Sequence, residues 1–387
     1  MTAAPVYLDC NATVPLSPIA RDAMLRWLDP DVPCNSGSRT HRFGTDAQKA
    51  VAIAREQVAE VAGVPPACVV FTSGATEANN LGILGLAAHG LRGGARHIVS
   101  TQIEHKAVLE PLEEMAHRGF EVTYVAPSAD GRVAADEVLA AVRDDTMLVS
   151  VMQVNNETGM IQPVEAIAEG LRGRSAFFHV DASQGFGKQL SALRNPRVDM
   201  ASVSGHKIGG PIGIGALLFR KRGYRPPPLS PLAHGGGQER GLRPGTLPTA
   251  LIAGFGAAAE TMLGNHKEWV RYCGAYCDAM LQGLDDLKEG YDLNMDPTEA
   301  LPNCINVSIR DENGSWLDAE AILLALKPIL AASNGSACTS AGMEQSHVLR
   351  AQQLPDKRLR GAVRLSWCER TPRADWSAVC RAINRIL

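Results

Sequence analysis

The stretch Val70-Phe71-Thr72-Ser73-Gly74-Ala75-Thr76-Glu77-Ala78 decides the fold. An apolar run stops at Thr72 and a helix-forming run begins at Ala75, so a strand is predicted to pass directly into a helix. Gly74 lets the backbone come close to a ligand, and the unpaired N–H groups of a helix start favour an anion. Ser73 and Thr76 add hydroxyl donors. A plain N-cap without a ligand fits these residues equally well. No Gly-Lys-Ser/Thr follows, so this is not a Walker loop, and it is not a Gly-x-Gly-x-x-Gly turn. Moving outward, strand-like runs recur at Cys68–Thr72, His97–Thr101, Val122–Ala126, Met147–Met152, Phe177–Asp181, Val198–Ser204 and Gly215–Phe219. Helix-like stretches separate most of them: Ala75–Ala88, Lys106–His117, Ala134–Val142 and Val164–Leu171, with Asp46–Val61 ahead of the first. Strands alternating with helices predict an α/β fold, a seven-stranded, mostly parallel sheet covered on both faces. The Pro- and Gly-rich Arg225–Pro248 interrupts the pattern. A helical stretch follows from about Thr249 to Leu287. A second, smaller α/β part is expected after it, with strands Asn303–Ile309 and Val363–Trp367 around a helix Leu317–Leu326.

The chain has 387 residues, with 38 Lys+Arg against 41 Asp+Glu. That balance argues against nucleic acid or a membrane surface as the main partner, since both favour a basic excess. No apolar run reaches the roughly 18–20 residues of a membrane span. Met1–Tyr7 has neither a basic segment nor a long apolar one, so no signal peptide is expected. The nine cysteines are an odd number without any Cys-x-x-Cys spacing. They predict a reducing, cytoplasmic setting and no structural metal site.

Two further motifs fall at predicted strand ends. In Phe177-Phe-His-Val-Asp-Ala-Ser-Gln184, Asp181 sits where open α/β sheets bind ligands and can hold a cationic ring nitrogen or cap a helix. In Val203-Ser-Gly-His-Lys-Ile-Gly-Gly210, Lys207 is either a phosphate ligand or an amine that forms a Schiff base. An anion cradle, a carboxylate and a lysine at one sheet edge fit pyridoxal 5'-phosphate, which needs all three. His234-Gly-Gly-Gly237 resembles a lipase oxyanion loop, but no Gly-x-Ser-x-Gly elbow accompanies it.

The chain resembles the cysteine desulfurases, fold-type I pyridoxal-phosphate enzymes of the class V aminotransferase group. The resemblance runs in order along nearly the whole chain. Its motifs are Tyr7-Leu-Asp9, Thr72-Ser-Gly-Ala-Thr-Glu77, Glu104-His-Lys106, Asn155-Asn-Glu-Thr-Gly159, His179-Val-Asp-Ala-Ser-Gln184, Ser204-Gly-His-Lys207, His234-Gly-Gly-Gly-Gln-Glu-Arg240, Gly245-Thr246 and Gly335-Ser-Ala-Cys-Thr-Ser340. The last is similar to the long Cys-loop subgroup, which includes the desulfurases of iron–sulfur assembly and of DNA phosphorothioation.

The resemblance implies a large cofactor-binding domain over 16–262 and a small domain of 1–15 with 263–387, which carries the Cys loop at about 331–343. It implies Lys207 as the cofactor's covalent anchor and carrier of the Cα proton, Asp181 on the pyridine nitrogen, and His105 stacked on the ring. Gln184 is implied at the phenolic oxygen. Ala75, Thr76, Ser204 and His206 are implied at the phosphate, with Thr246 reaching it across a homodimer interface. Asn155, Asn35 and Arg364 are implied at the cofactor and the substrate carboxylate, the last suited by its bidentate fork. Cys338 is implied to take sulfur from L-cysteine as a persulfide, leaving L-alanine, and to pass it to an acceptor protein. Beyond a transient iron–sulfur cluster on Cys338, no metal is implied. The residues around Cys338, Ala332-Ser-Asn-Gly-Ser-Ala-Cys-Thr-Ser-Ala-Gly342, are all small and cannot anchor a segment by burial, which predicts a travelling thiol.

Cys10, Val14 and Ser36 depart from the family's usual residues, and Pro244 stands before Gly245. The chain ends at Leu387 without the tail by which housekeeping iron–sulfur desulfurases meet their scaffold, so the acceptor is left open between iron–sulfur assembly, tRNA thiolation and DNA phosphorothioation. Selenocysteine lyase, another class V reaction, and an inactive sulfur-carrier subunit are the alternatives.

Overall fold

A computed structural model describes residues 4–335 and 345–387. Its strands, in chain order, are β1 (Val6–Tyr7), β2 (Val69–Thr72), β3 (His97–Thr101), β4 (Glu121–Val125), β5 (Thr146–Met152), β6 (Phe177–Asp181), β7 (Met200–Ser204), β8 (Gly215–Phe219), β9 (Tyr291–Leu293), β10 (Cys304–Ile309), β11 (Leu330–Ala331) and β12 (Ala362–Ser366). The main sheet has the order β2-β8-β7-β6-β5-β3-β4. Only β8 runs against its neighbours, while the other pairs are parallel. The fold is the α/β one expected, with seven mostly parallel strands.

Direction explains where the chemistry gathers. Strand β8 is antiparallel to both β2 and β7, so β2 points the same way as β7, β6, β5 and β3. All five carboxyl ends therefore lie on one edge. The segments after β2, β3, β6 and β7 carry Thr76, His105, Gln184 and Lys207 to that edge. The strands themselves are near-continuous apolar runs because both faces are covered; every residue of β5, β7 and β8 is buried.

Two predicted helices are divided. Ala75–Ala88 is a helix Ala75–Leu84 followed by Ala87–Gly93. The break falls at Gly85, whose carbonyl accepts from Ser230 N–H at 2.8 Å. A Cβ at Gly85 would stand 3.0 Å from the Ser230 carbonyl, so the crossing strand of Pro-rich chain fits only over glycine. The stretch Thr249–Leu287 is likewise two helices, Thr249–Gly264 and His266–Leu284, because Asn265 leaves helical geometry. The first is buried along most of its length and the second only along one stripe, so the two need different directions.

The C-terminal part forms the antiparallel sheet β9-β10-β12. The N-terminal segment returns to it: β1 pairs parallel with β11, and Asp9 bridges to Ser366. This long-range pairing delivers residues 9–13 to the reactive edge of the main sheet. No helix among the described residues is long and apolar enough to cross a membrane. The eight described cysteines are free, and most are buried.

Candidate active site

A cavity of about 360 Å³ opens at the carboxyl edge of the sheet. Ala75, Thr76, His105, Asp181 and Gln184 line it, and so do Ser204, His206, Lys207 and Arg364. The sequence scatters these residues over nearly 300 positions, and the shared strand direction brings them together.

The helix Ala75–Leu84 begins in this cavity. Its first-turn N–H groups have no partner within the helix. Glu77 accepts from Ser73 N–H at 2.5 Å and pairs with Arg243 at 3.1 Å. Burial works against it, but those bonds hold the Glu77 carboxyl below its ordinary range. The turn at Ser73–Gly74 crosses directly over Gly215, where a Cβ would lie 2.7 Å from the Gly74 backbone. Glycine on β8 is thus a condition for the turn on β2.

Asp181 ends β6 and is 4% exposed. Its Oδ2 accepts from Asn79 Nδ2 at 2.8 Å, and Oδ1 accepts from Ser183 N–H at 2.9 Å and from the Ser183 hydroxyl. The carboxylate is fixed from both sides. Lys207 lies in the short turn after β7, and its Nζ donates to the carbonyls of Asn11 and, at 2.8 Å, Ala12. Gln184 Nε2 donates to the same Asn11 carbonyl at 2.9 Å. His206 Nδ1 lies 3.1 Å from Thr13 Oγ1. Burial, with the charges of Lys207 and Lys188, pushes His206 down to about 4, so it is neutral near pH 7. His105 caps the helix Lys106–His117: its Nδ1 accepts from Ala107 N–H at 3.0 Å, which leaves any ring proton on Nε2.

Arg364, on β12, is 1% exposed. Its Nη2 meets Asp9 Oδ1 at 2.6 Å and its Nη1 donates to the Asn156 carbonyl at 3.0 Å. Asn155 is placed differently from the other expected residues. It does not line the cavity, and its Oδ1 accepts from the backbones of Glu157 and Thr158 while Nδ2 donates to the Ile103 carbonyl. Asn35 and Thr246 lie outside this cavity too. They share a second one, of about 350 Å³, with Arg39 and Gln238. Cys338 lies outside the described residues.

Several residues of the site escape sequence reasoning. Asn79 and Ser183 fix Asp181, and Asp9, Asn11 and Thr13 touch Arg364, Lys207 with Gln184, and His206. Asn79 is fully buried, but with Thr76, Glu77 and Asn80 around it the sequence gives no signal of its role. Asn11 acts through a backbone carbonyl, which no residue type announces.

Two buried acceptors on residues that line the cavity, Gln184 Oε1 and Asn79 Oδ1, have no hydrogen-bond partner among the described residues. Such atoms are costly unless a ligand donates to them. A ligand with an aldehyde for Lys207, a ring N–H for Asp181 and an anion for the helix start would meet this donor and acceptor set. Pyridoxal phosphate has those three features, so the residues fit it.

The aminotransferase class-V family profile matches residues 6–378, and the chain belongs to that pyridoxal-phosphate-dependent family. Within it the likeness is to cysteine desulfurases. The chain is 44% identical over 363 residues to a cysteine desulfurase IscS of Pectobacterium carotovorum, covering 94% of this chain and 87% of the relative. It is 43% identical over 366 residues to that of an Escherichia coli strain, with the same coverage. Among solved structures, DndA from Streptomyces lividans superposes with a TM-score of 0.81 at 42% identity, covering 95% of this chain and 99% of that one. SspA in complex with cysteine superposes with a TM-score of 0.82 at 34% identity, covering 95% and 100%.

Proposed function

We propose that the residues of this cleft divide among themselves the work of a cysteine desulfurase. The chain is a pyridoxal-phosphate-dependent enzyme of that kind, releasing the sulfur of L-cysteine and leaving L-alanine. The bound cofactor supplies an electron sink for the substrate's Cα. Lys207 anchors it and moves the Cα proton, since its amine stands among the two carbonyls that accept from it and the cavity. Asp181 would keep the ring nitrogen protonated, His105 would pack against the ring, and Gln184 would donate to or accept from its phenolic oxygen. Ala75 and Thr76, with Ser204 and the neutral His206, take the phosphate. Arg364, which lines the cavity, takes the substrate carboxylate.

The sulfur transfer is balanced within the chain. The Cys338 thiolate attacks the substrate sulfur, an S–S bond forms, the Cβ–S bond breaks, and the Cβ carbanion equivalent takes a proton to become the methyl of alanine. Cys338 holds the persulfide and hands it to an acceptor protein; iron–sulfur cluster assembly, tRNA thiolation and DNA phosphorothioation all consume sulfur in this form. The working unit is a cytoplasmic homodimer. The position of Thr246 in a separate cavity with Asn35 supports this, because a residue that reaches the phosphate of the other copy would not face its own. We further propose the division into 16–262 and 1–15 with 263–387. It is supported by the pairing of β1 with β11 and of Asp9 with Ser366.

One observation carries the reading: Lys207, Asp181 and the helix start at Ala75 line a single cavity, and two buried acceptors on its lining residues have no partner among the described residues. The test is cysteine-dependent formation of alanine and sulfide by the purified protein. Cys338→Ala is expected to abolish it while the cofactor stays bound. Full activity in that variant would refute the persulfide route.

A further inference from the structure

The buried arginine at the cavity wall has an uneven set of partners. Of the Arg364 donors, Nη2 is taken by Asp9 at 2.6 Å and Nη1 by the Asn156 carbonyl at 3.0 Å. Nε is buried and has no partner among the described residues. A guanidinium that is 1% exposed should satisfy its donors. The unsatisfied one belongs to a side chain that lines the cavity. Asp9 is in turn held from several directions. It bridges to Ser366, two residues beyond Arg364 on β12. Its carbonyl accepts from the Tyr7 hydroxyl and the Ala12 N–H, both at 3.0 Å. A guanidinium rotates about its long stem, and a carboxylate on one corner decides which edge is left over.

We propose that Asp9 is a positioning residue for the substrate carboxylate: it holds the Nη2 corner of Arg364, so that the guanidinium is kept in the orientation in which it lines the cavity where an α-carboxylate would sit. Asp9 also balances the buried charge before substrate arrives, since an unpaired buried cation is strongly disfavoured. The inference rests on the reading of Arg364 as the carboxylate ligand and adds the residue that sets its orientation. It concerns binding rather than sulfur transfer, so it is independent of Cys338.

The test compares two amines on the holoenzyme, L-alanine and ethylamine, which differ by the carboxylate. Affinity is read from the change in the visible absorbance of the bound cofactor. Arg364→Lys first checks the underlying reading, and it is expected to weaken L-alanine at least tenfold and to leave ethylamine within twofold. Asp9→Ala is expected to show the same selective loss, about tenfold for L-alanine, and to raise KM for L-cysteine while kcat stays within about twofold. Asp9→Asn keeps an acceptor at Oδ1 and is expected to fall between; it also serves if the alanine variant fails to fold. Equal weakening of both amines by the Asp9 variants would show a merely structural role and overturn the proposal, as would no weakening at all. If Arg364→Lys does not discriminate between the amines, the carboxylate reading itself falls, and the role of Asp9 falls with it.

Discussion

Glu104→Gln is a sharp test of the electrostatics beneath the site. Glu104 is completely buried next to His105. Its Oε1 accepts from the Thr101 hydroxyl at 2.7 Å and from Met152 N–H at 2.9 Å, and Oε2 has no partner among the described residues. Burial, aided by the nearby Asp181, pushes its pKa from 4.5 up to about 8, against the pull of those two bonds. Glu104 is therefore a neutral acid near pH 7. The folded pKa lies above the unfolded one, so the folded state keeps a proton that the unfolded state releases. The stabilisation is complete below the unfolded pKa and is lost as pH rises through about 8. Between pH 5 and pH 8 the linkage amounts to a few kcal/mol. Glutamine has nearly the same shape, keeps an oxygen for Thr101 and Met152, and has nothing to titrate. Urea unfolding of wild type and variant at both pH values cancels every other group. The wild type is expected to lose a few kcal/mol more than Glu104→Gln on going from pH 5 to pH 8. Equal losses in the two proteins would show that Glu104 is ionised in the fold and would overturn its assignment as a neutral acid.

Gly215→Ala puts a Cβ 2.4 Å from the Val203 carbonyl and 2.7 Å from the Gly74 backbone, neither of which can yield as a side chain would. The turn at Ser73 must move, and affinity for pyridoxal phosphate is expected to fall at least tenfold, measured by equilibrium dialysis, with a stability loss of about 1–3 kcal/mol. Asp181→Ala removes the acceptor for Asn79 and Ser183 and is expected to lower the alanine-forming rate at least a hundredfold. Asn79→Ala is expected to cost much less in the same assay, since Ser183 still holds the other carboxylate oxygen.

The parts of this molecule legible in the sequence are those with a residue-type signature. The strands read correctly because β5, β7 and β8 are buried along their whole length, which makes them unbroken apolar runs. Asp181, Lys207 and the Ser73–Thr76 turn read correctly as neighbours because strand ends of common direction share an edge. The divided helices were not legible. What breaks the first is the Ser230 backbone, 145 positions away from Gly85, and local propensity carries no record of a distant contact.

The N-terminal segment shows why the remainder of the site was hidden. Residues 9–13 contribute two carbonyls, one carboxylate and one hydroxyl to the cleft, and they touch Arg364, Gln184, His206 and Lys207. None of these contacts is local; each spans at least 173 positions. They depend on the pairing of Asp9 with Ser366, which is a consequence of the second sheet rather than of the first. The segment thus joins the two halves of the site: Arg364 comes from β12, while Lys207 and Gln184 come from the main sheet. A displacement of residues 9–13 would disturb the anchoring amine and the carboxylate ligand together, which no substitution confined to either sheet would do. Hence the proper unit for reading this cleft is the strand edge plus the N-terminal segment that crosses it.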